Sequence, residues 1–419
     1  MSDKTIQKEQ LCLGLYIHLD IPWMKHPFFT GSFKIRTEKQ LKALRGMRLE
    51  SIRYDPEKSD TEPLPLTDAA MVEEPIQESP EDHLWEEKRK RIEILKARRR
   101  KVNQTAKRYE KSVESTRKVM DVLYASPKQA LQMADEVVGD MVNDLTVDTE
   151  VTIQLVNLKG KSESSYYHSL NVAALSLLLG QKLGLDASQL HLLGLGALFH
   201  DLGHQQIPSQ ILLKKKPLTP VEEKVYQRHP VLGVEIAKRI GVLPDEAVDI
   251  IGQHHERLDG SGYPKGLKGE VGPLVRIVAI VDRYDELCNQ PDPKRSMSPY
   301  EAVSHMYGKE QGKYDKSILT AFIANLGIYP PGTVVRLSDQ RLACVVTINH
   351  EELLKPSVLV YDPEIPKEEA LILDLVEEDL IISESCRRAE VTPAVLNYLN
   401  LSEYVSYYFD QVSDLGSAP

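Results

Sequence analysis

The segment Leu198-Phe199-His200-Asp201-Leu202-Gly203-His204 decides how the rest of the chain is read. It closes the run Ser188 to Leu198, rich in Leu, Ala and Gly, whose residues suit a helix buried on most sides. The last turn of such a helix, ended by Gly203, directs the His200 imidazole and the Asp201 carboxylate toward one pocket. A His-Asp dipeptide also arises by chance, so the pair needs company.

Company lies on both sides. Upstream, His168 opens the helical run Ser169-Leu170-Asn171-Val172-Ala173-Ala174-Leu175. Downstream, His229-Pro230 precedes Gln253-His254-His255-Glu256-Arg257-Leu258-Asp259-Gly260-Ser261-Gly262-Tyr263-Pro264. Two consecutive histidines on a helix point about 100° apart, so both reach one metal only at a helix terminus or between two metals. The glycine-rich turn supplies that terminus, and Gly260 and Gly262 permit positive φ or close backbone approach. Asp282 adds a further carboxylate. Five imidazoles (His168, His200, His229, His254, His255) buried as ordinary core groups with no common partner would cost too much to be plausible.

Around this set, residues from about Lys128 to Met306 read as a succession of helices forming an all-α core. After Pro330-Pro331-Gly332 the pattern changes to β-branched runs such as Thr333-Val334-Val335-Arg336-Leu337 and Cys344-Val345-Val346-Thr347-Ile348. A closing helix is expected near Pro393 to Phe409. Toward the N-terminus, Leu11 to Tyr54 reads as short strands and turns. His26, beside Pro27 in an apolar cluster, is read as structural. Residues 61–84 are rich in Pro, Glu, Asp and Thr and suit a flexible linker. Trp85 to Tyr124 lacks Gly and Pro and is dominated by strong helix formers, which predicts one long helix. Its basic members, among them Lys88, Arg89, Lys90 and Arg98 to Lys101, read as a solvated face. Glu86, Glu87 and Glu93 supply i,i+4 partners, and Ile92, Leu95 and Val102 form an apolar stripe that allows a homodimer without demanding one.

The expected fold class is therefore mainly α: an all-helical core domain with a small β-rich N-terminal module and a small β-rich C-terminal appendage. The expected divisions are a regulatory module at 1–60, a linker at 61–84, a long basic helix at 85–127, the helical domain at 128–330 and the appendage at 331–419. The chain of 419 residues is long enough for about two or three domains. A net charge of −10 does not suit wrapping of a nucleic-acid polymer. No stretch approaches the ~18 apolar residues of a membrane span. The polar start lacks the features of a secretory signal, so a cytoplasmic address is expected. The four cysteines, Cys12, Cys288, Cys344 and Cys386, have no CxxC spacing and read as ordinary thiols.

From His168 through Asp282, and more loosely to Leu337, the chain resembles the HD-GYP branch of the HD-domain phosphohydrolases. The resemblance rests on His168-Ser169-Leu170-Asn171-Val172-Ala173, His200-Asp201, Lys216-Pro217-Leu218-Thr219 with Glu222, and His229-Pro230 with Gly233. It continues through His254-His255-Glu256, the Asp259 to Pro264 run and Asp282-Arg283-Tyr284-Asp285. It implies a binuclear site in which Asp201 bridges two divalent transition-metal ions, Fe or Mn foremost and Ni or Zn as alternatives. His168, His200 and Asp282 would complete one coordination sphere, and His229, His254 and His255 the other. It implies cleavage of cyclic di-GMP to linear pGpG, and in some members on to GMP, by metal-activated water. It also links the Gly260, Gly262, Tyr263 and Pro264 loop to substrate access and to a protein partner. Lys294 and Arg295 are the local cations for substrate phosphate.

The sequence departs from the family at three places. His204 stands where the family usually has Lys, and an imidazole there serves as proton donor or added ligand, or leaves a slower enzyme. Ser164 stands where some members place a Glu that holds a third metal, so two metals are expected. The Asn289 to Ser298 loop lacks the usual Arg-Pro-Tyr. These departures keep two other readings in play: a receptor that binds cyclic di-GMP without turnover, and a hydrolase of another nucleotide.

Overall fold

In the computed structural model, the described residues are 4–28, 30–49, 51–66, 80–147, 151–156, 164–378, 380–401 and 404–411. They fall into two compact units, one of residues 1–99 with 362–371, the other of 100–361 with 372–419.

In the first unit, β1 (Lys4–Ile6), β2 (Tyr16–His18), β3 (Ser32–Lys34) and β4 (Ile52–Asp55) form an antiparallel sheet of order β1-β4-β2-β3. Helix α1 (Glu38–Gly46) starts at a capping box between Thr37 and Gln40, which satisfies two amides left open at the first turn. Leu11, Leu15, Ile17, Ile35 and Leu44 make the core of this unit. Helix α2 (Pro80–Val122) begins here, five residues before the expected start. Lys90 pairs with Glu86 at i,i+4, as a solvated face requires. Lys88 departs from that reading. It is 1% exposed, and its Nζ donates to the His26 carbonyl at 2.7 Å. Burial pushes its pKa down to about 8, against the opposing charge of Glu369.

The second unit holds the rest of α2 and a helical array: α3 (Pro127–Val147), α4 (Ser164–Lys182), α5 (Ala187–Phe199), α6 (Ser209–Leu212), α7 (Pro220–Tyr226), α8 (His229–Ile240) and α9 (Asp245–Gln253). It continues with α10 (Pro273–Cys288), α11 (Pro299–Lys309) and α12 (Lys316–Leu326). Helices α4 and α5 are apolar on nearly every side, with Leu170, Val172 to Leu175 and Leu177 to Leu179 buried on one and Leu193 to Phe199 on the other. Their buried side chains form a large part of the apolar core of this unit. No helix among the described residues is long and apolar enough to cross a membrane.

Two expectations are corrected here. The core is not purely helical, because β5 (Val151–Val156) lies between α3 and α4. After β6 (Val334–Leu337), β7 (Leu342–Thr347), β8 (Ser357–Val360), β9 (Ile372–Asp374) and β10 (Ile382–Cys386), which form a sheet of order β10-β6-β7-β8-β9, the closing helix is short. Helix α13 (Pro393–Tyr398) stops because Asn400 takes a left-handed φ of 56° and the Leu401 amide donates back to the Leu396 carbonyl at 3.0 Å. The chain then forms β11 (Ser406–Gln411), antiparallel to β5. Tyr407 is 1% exposed, and its hydroxyl donates to the Pro331 carbonyl at 3.0 Å and meets the Tyr284 hydroxyl at 2.8 Å.

Candidate metal centre

Helix ends place most of the site. His200 is the C-cap of α5 and Asp201 follows it before a 3₁₀ turn (Leu202–Gln206). His229 opens α8, and His254 is the C-cap of α9 with His255 next in line. His168 lies in the second turn of α4, and Asp282 lies within α10. The α5 end reaches the α8 start because residue 203 has no side chain: a Cβ on Gly203 would fall 1.9 Å from the His229 carbonyl oxygen.

The seven predicted residues meet at one place and divide into two sets. His168, His200 and Asp282 have ligand atoms mutually within 4.8 Å, as do Asp201, His229, His254 and His255. Asp201 turns one oxygen to each: Oδ2 lies 3.5 Å from His168 Nε2 and 3.4 Å from His200 Nε2, while Oδ1 lies 3.4 Å from His229 Nε2 and 3.7 Å from His254 Nε2. Asp282 Oδ1 faces His168 and His200 at 3.3 and 3.6 Å. The residues are buried to a degree unusual for ionisable groups, with His200, His229 and His254 fully enclosed.

The tautomers show that this donor set fits a cation. Nδ1 of His200 points at the Ala197 carbonyl (2.7 Å), Nδ1 of His229 at that of Tyr226 (2.8 Å) and Nδ1 of His254 at that of Ile251 (3.0 Å). A carbonyl only accepts, so each Nδ1 carries hydrogen and Nε2 is the nitrogen turned to the centre, with a free lone pair where the ring is neutral. Nε2 of His229 and Nε2 of His254 face each other at 3.1 Å. Burial holds both rings below the usual histidine range, so two lone pairs confront one another with no proton between them. A cation resolves that conflict. Asp282 Oδ2 and His204 Nε2, both buried, likewise have no hydrogen-bond partner among the described residues. Mixed imidazole and carboxylate donors suit first-row transition metals.

Electrostatics differ between the sets. Burial opposes charge on His200, yet the Asp201 and Asp282 carboxylates beside it hold its pKa up at about 10. His168 is likewise raised, by Asp282 and Asp285 against burial. Burial also works against the Asp201 carboxylate, but His204 and His200 keep it well below its ordinary value. Without metal, protons on the His168 set balance the carboxylates, and a metal must displace them.

The structure also supplies partners that sequence reasoning had not assigned. His168 Nδ1 donates to Asp285 Oδ2 at 2.6 Å, which aims its Nε2 at the centre. Asp285 in turn accepts from Asn171 Nδ2, and Asn171 Oδ1 accepts from the Tyr407 amide at 2.7 Å. Strand β11 thus anchors the orientation of a residue in the centre. The signal available in the sequence was the Asp282/Asp285 spacing, one helical turn. Replacing Asp285 with asparagine should lower metal affinity about 10- to 100-fold without unfolding the chain, measured by competition with a fluorescent chelator.

Arg283, beside Asp282, is fixed on the other side of α10 by Glu310, whose carboxylate accepts from Nη2 at 2.9 Å and from Nε at 3.1 Å. Burial pushes Glu310 up, but Arg283 outweighs it and holds the pKa at about 2. Because the folded value lies below the ordinary 4.5, the pair's stabilisation is complete above about pH 4.5 and is lost as pH falls toward 2. Glu310→Gln should lower the urea midpoint at neutral pH and flatten its decline across that acid window.

His204 joins the cluster: its Nδ1 lies 3.1 Å from Asp201 Oδ2 and its ring centroid 4.3 Å from that of His229. The loop after His255 is closer to the centre than expected. Tyr263 lies 4.6 Å, ring to ring, from His255, and its amide donates to the His255 carbonyl. A Cβ on Gly262 would fall 2.4 Å from that same carbonyl oxygen, so the loop folds back only with glycine there. Gly260 takes φ 82°, and the buried Glu256 accepts from the Lys265 and Leu267 amides, fixing the loop beyond Pro264. Lys294 and Arg295 are not gathered in. They occupy an exposed 3₁₀ turn, and no hydrogen bond or ion pair joins either side chain to the cluster.

Comparisons with known proteins follow the same lines. Residues 146–318 match the HD domain family, and residues 3–134 match a domain of unknown function, DUF3391. The chain is 30% identical over 369 residues to cyclic di-GMP phosphodiesterase PA4108 of Pseudomonas aeruginosa, covering 85% of each protein. It is 34% identical over 154 residues to the cyclic di-GMP phosphodiesterase response regulator RpfG of Xanthomonas campestris, covering 35% of this chain and 39% of that one. It is also 34% identical over 169 residues to 3'3'-cGAMP-specific phosphodiesterase 1 of Vibrio cholerae, covering 39% of this chain and 38% of that one. With the histidine and aspartate sets assembled and a relative similar along most of its length, this chain belongs to the HD-GYP family of HD-domain phosphohydrolases.

Proposed function

We propose that this chain is a metal-dependent phosphodiesterase that opens cyclic di-GMP to linear pGpG. The observation that carries the reading is the division of Asp201 between two sets of donors, which suits a carboxylate shared by two divalent ions. His168, His200 and Asp282 would hold one ion, and His229, His254 and His255 the other, with Fe or Mn best matched to the donors. When bound, such a pair supplies a hydroxide-like nucleophile at neutral pH and positive charge for the phosphoryl oxygens.

The protein's own residues do the rest. Cleavage breaks the bond from phosphorus to one ribose 3′ oxygen, and that oxygen must gain a proton. His204, with Nδ1 on Asp201 and Nε2 lacking a partner, is placed to hold a proton on Nε2 for it. Tyr263 covers His255 and limits water at that side. Lys294 and Arg295, free of the cluster, are proposed to meet the second phosphate. The Gly260 to Pro264 loop offers a docking edge for a protein partner, and the basic helix α2 a face for a homodimer.

The test is product chromatography on protein purified without oxygen and loaded with Fe or Mn. Formation of pGpG is expected, whereas intact cyclic di-GMP across all metals refutes the activity. The substrate panel should include 3'3'-cGAMP, because one relative bears that specificity in its name. Binding without turnover would instead favour a receptor, the reading that His204 in place of Lys motivates.

A further inference from the structure

The histidines of the centre are not all aimed in the same way. Nδ1 of His200, His229 and His254 each meets a backbone carbonyl three residues earlier in the chain, a partner that comes with the local fold. His168 is aimed instead by the Asp285 side chain, which is itself held from the far end of the chain. Asp285 Oδ1 accepts from Asn171 Nδ2 on α4 and from Asn289 Nδ2 at the C-cap of α10, the latter at 2.9 Å. Both asparagines also grip the backbone at β11. The Val405 amide donates to Asn289 Oδ1 at 2.8 Å, Asn289 Nδ2 donates back to the Val405 carbonyl at 2.8 Å, and the Tyr407 amide donates to Asn171 Oδ1 at 2.7 Å. A backbone N–H only donates, so these bonds fix the oxygen of each side chain toward the strand and turn each Nδ2 to Asp285. Asn289 then has both its N–H donors and its oxygen in use. Residues 405–407 lie outside 146–318, the stretch that matches the HD domain.

We propose that Asn289 is a positioning residue for the His168 set, and that the docking of residues 405–407 sets how firmly that set holds its ion; the inference rests on the two-set reading above. With the strand docked, the two asparagines fix Asp285, and Asp285 keeps His168 Nε2 on the centre. With the strand released, both side-chain amides lose their backbone partners, and the carboxylate of a residue only 1% exposed loses the donors that hold it in place. The His168 ring then loses its fixed direction. The Asp201, His229, His254 and His255 set is insulated from this, because the Tyr226 and Ile251 carbonyls that aim His229 and His254 belong to their own segments. Loosening the strand therefore weakens one position and spares the other.

The full-length protein, stripped of metal, is titrated with Mn(II) without oxygen, and bound Mn is followed by electron paramagnetic resonance and by competition with a fluorescent chelator. The wild type is expected to take up two ions that give the spectrum of a coupled pair. In Asn289→Ala one of the two affinities should fall about 10-fold while the other stays at the wild-type value, so that at intermediate Mn the variant shows the spectrum of an isolated ion. Asn289→Asp keeps an acceptor for the Val405 amide but sets a carboxylate against Asp285. It should weaken the same position further, and it carries the test if the alanine variant does not fold. Ser112→Ala is the control: it removes the partner of the Tyr408 hydroxyl, 3.0 Å away on the same strand, without touching Asp285, and should bind both ions as the wild type does. Asn289 variants that fill both positions with wild-type affinity overturn the inference and leave the two-set reading intact. Equal weakening of both positions, or an equal effect from Ser112→Ala, also overturns it. A wild type that never holds a coupled pair removes the two-set reading and the inference with it.

Discussion

Replacing Asp201 with alanine will reduce turnover of cyclic di-GMP by about 10³-fold or more and will remove bound metal from both sets of ligands. The size follows from position. One carboxylate serves both sets, so its loss costs several kcal/mol of charge stabilisation that no neighbour replaces. Metal counting and product chromatography on the same preparation check the prediction. Alanine protein that keeps its ions and its rate would show that Asp201 does not join the two sets. Circular dichroism separates this from unfolding, because the α4 and α5 core does not depend on the Asp201 side chain.

The second large effect is on stability. Gly203→Ala puts a methyl group 1.9 Å from the His229 carbonyl oxygen, 2.7 Å from the Gly233 amide nitrogen and 2.8 Å from the His229 carbonyl carbon. All three are backbone atoms at the start of α8, so no rotamer change makes room. The helix must move away from the α5 end, at a cost of about 3 kcal/mol or more. His229 moves with it, so metal retained by the folded fraction should fall as well. Gly139→Ala is the control. It lies within α3 with nothing within 4 Å of its added Cβ, and alanine there should be neutral or stabilising by up to about 1 kcal/mol. Urea unfolding of the three proteins measures both. A Gly203→Ala midpoint equal to wild type would mean that the α5 and α8 ends are not in contact.

The members of the centre were legible because each sits at a local feature with its own signature. His200 and Asp201 end an apolar helix before a glycine, and His254 and His255 end another before a glycine-rich loop. The role of Asp285 was not legible. Its separation from Asp282 is ordinary for a helix, and only the arrival of His168 from α4 gives it an imidazole to orient. Lys88 failed for a related reason. A lysine inside a run of charged helix residues looks solvated until another segment, here the His26 carbonyl, is brought against it. The C-terminal helix failed at its end. Asn400 accepts left-handed φ, and the apolar Tyr407 and Tyr408 are buried by a strand rather than by a continued helix.

By itself the sequence determined the helical class and the β-rich flanks and singled out the seven residues that the structure brings together, because helix ends, glycine turns and apolar periodicity are local properties that a chain carries wherever it folds. Tertiary structure decided what depends on approach between distant segments. It split Asp201 between the two sets, turned Asp285 onto His168, and paired β11 with β5 across some 250 residues. Distances of a few ångströms between side chains from different helices are set by packing, and packing is a property of the whole core rather than of any stretch of sequence.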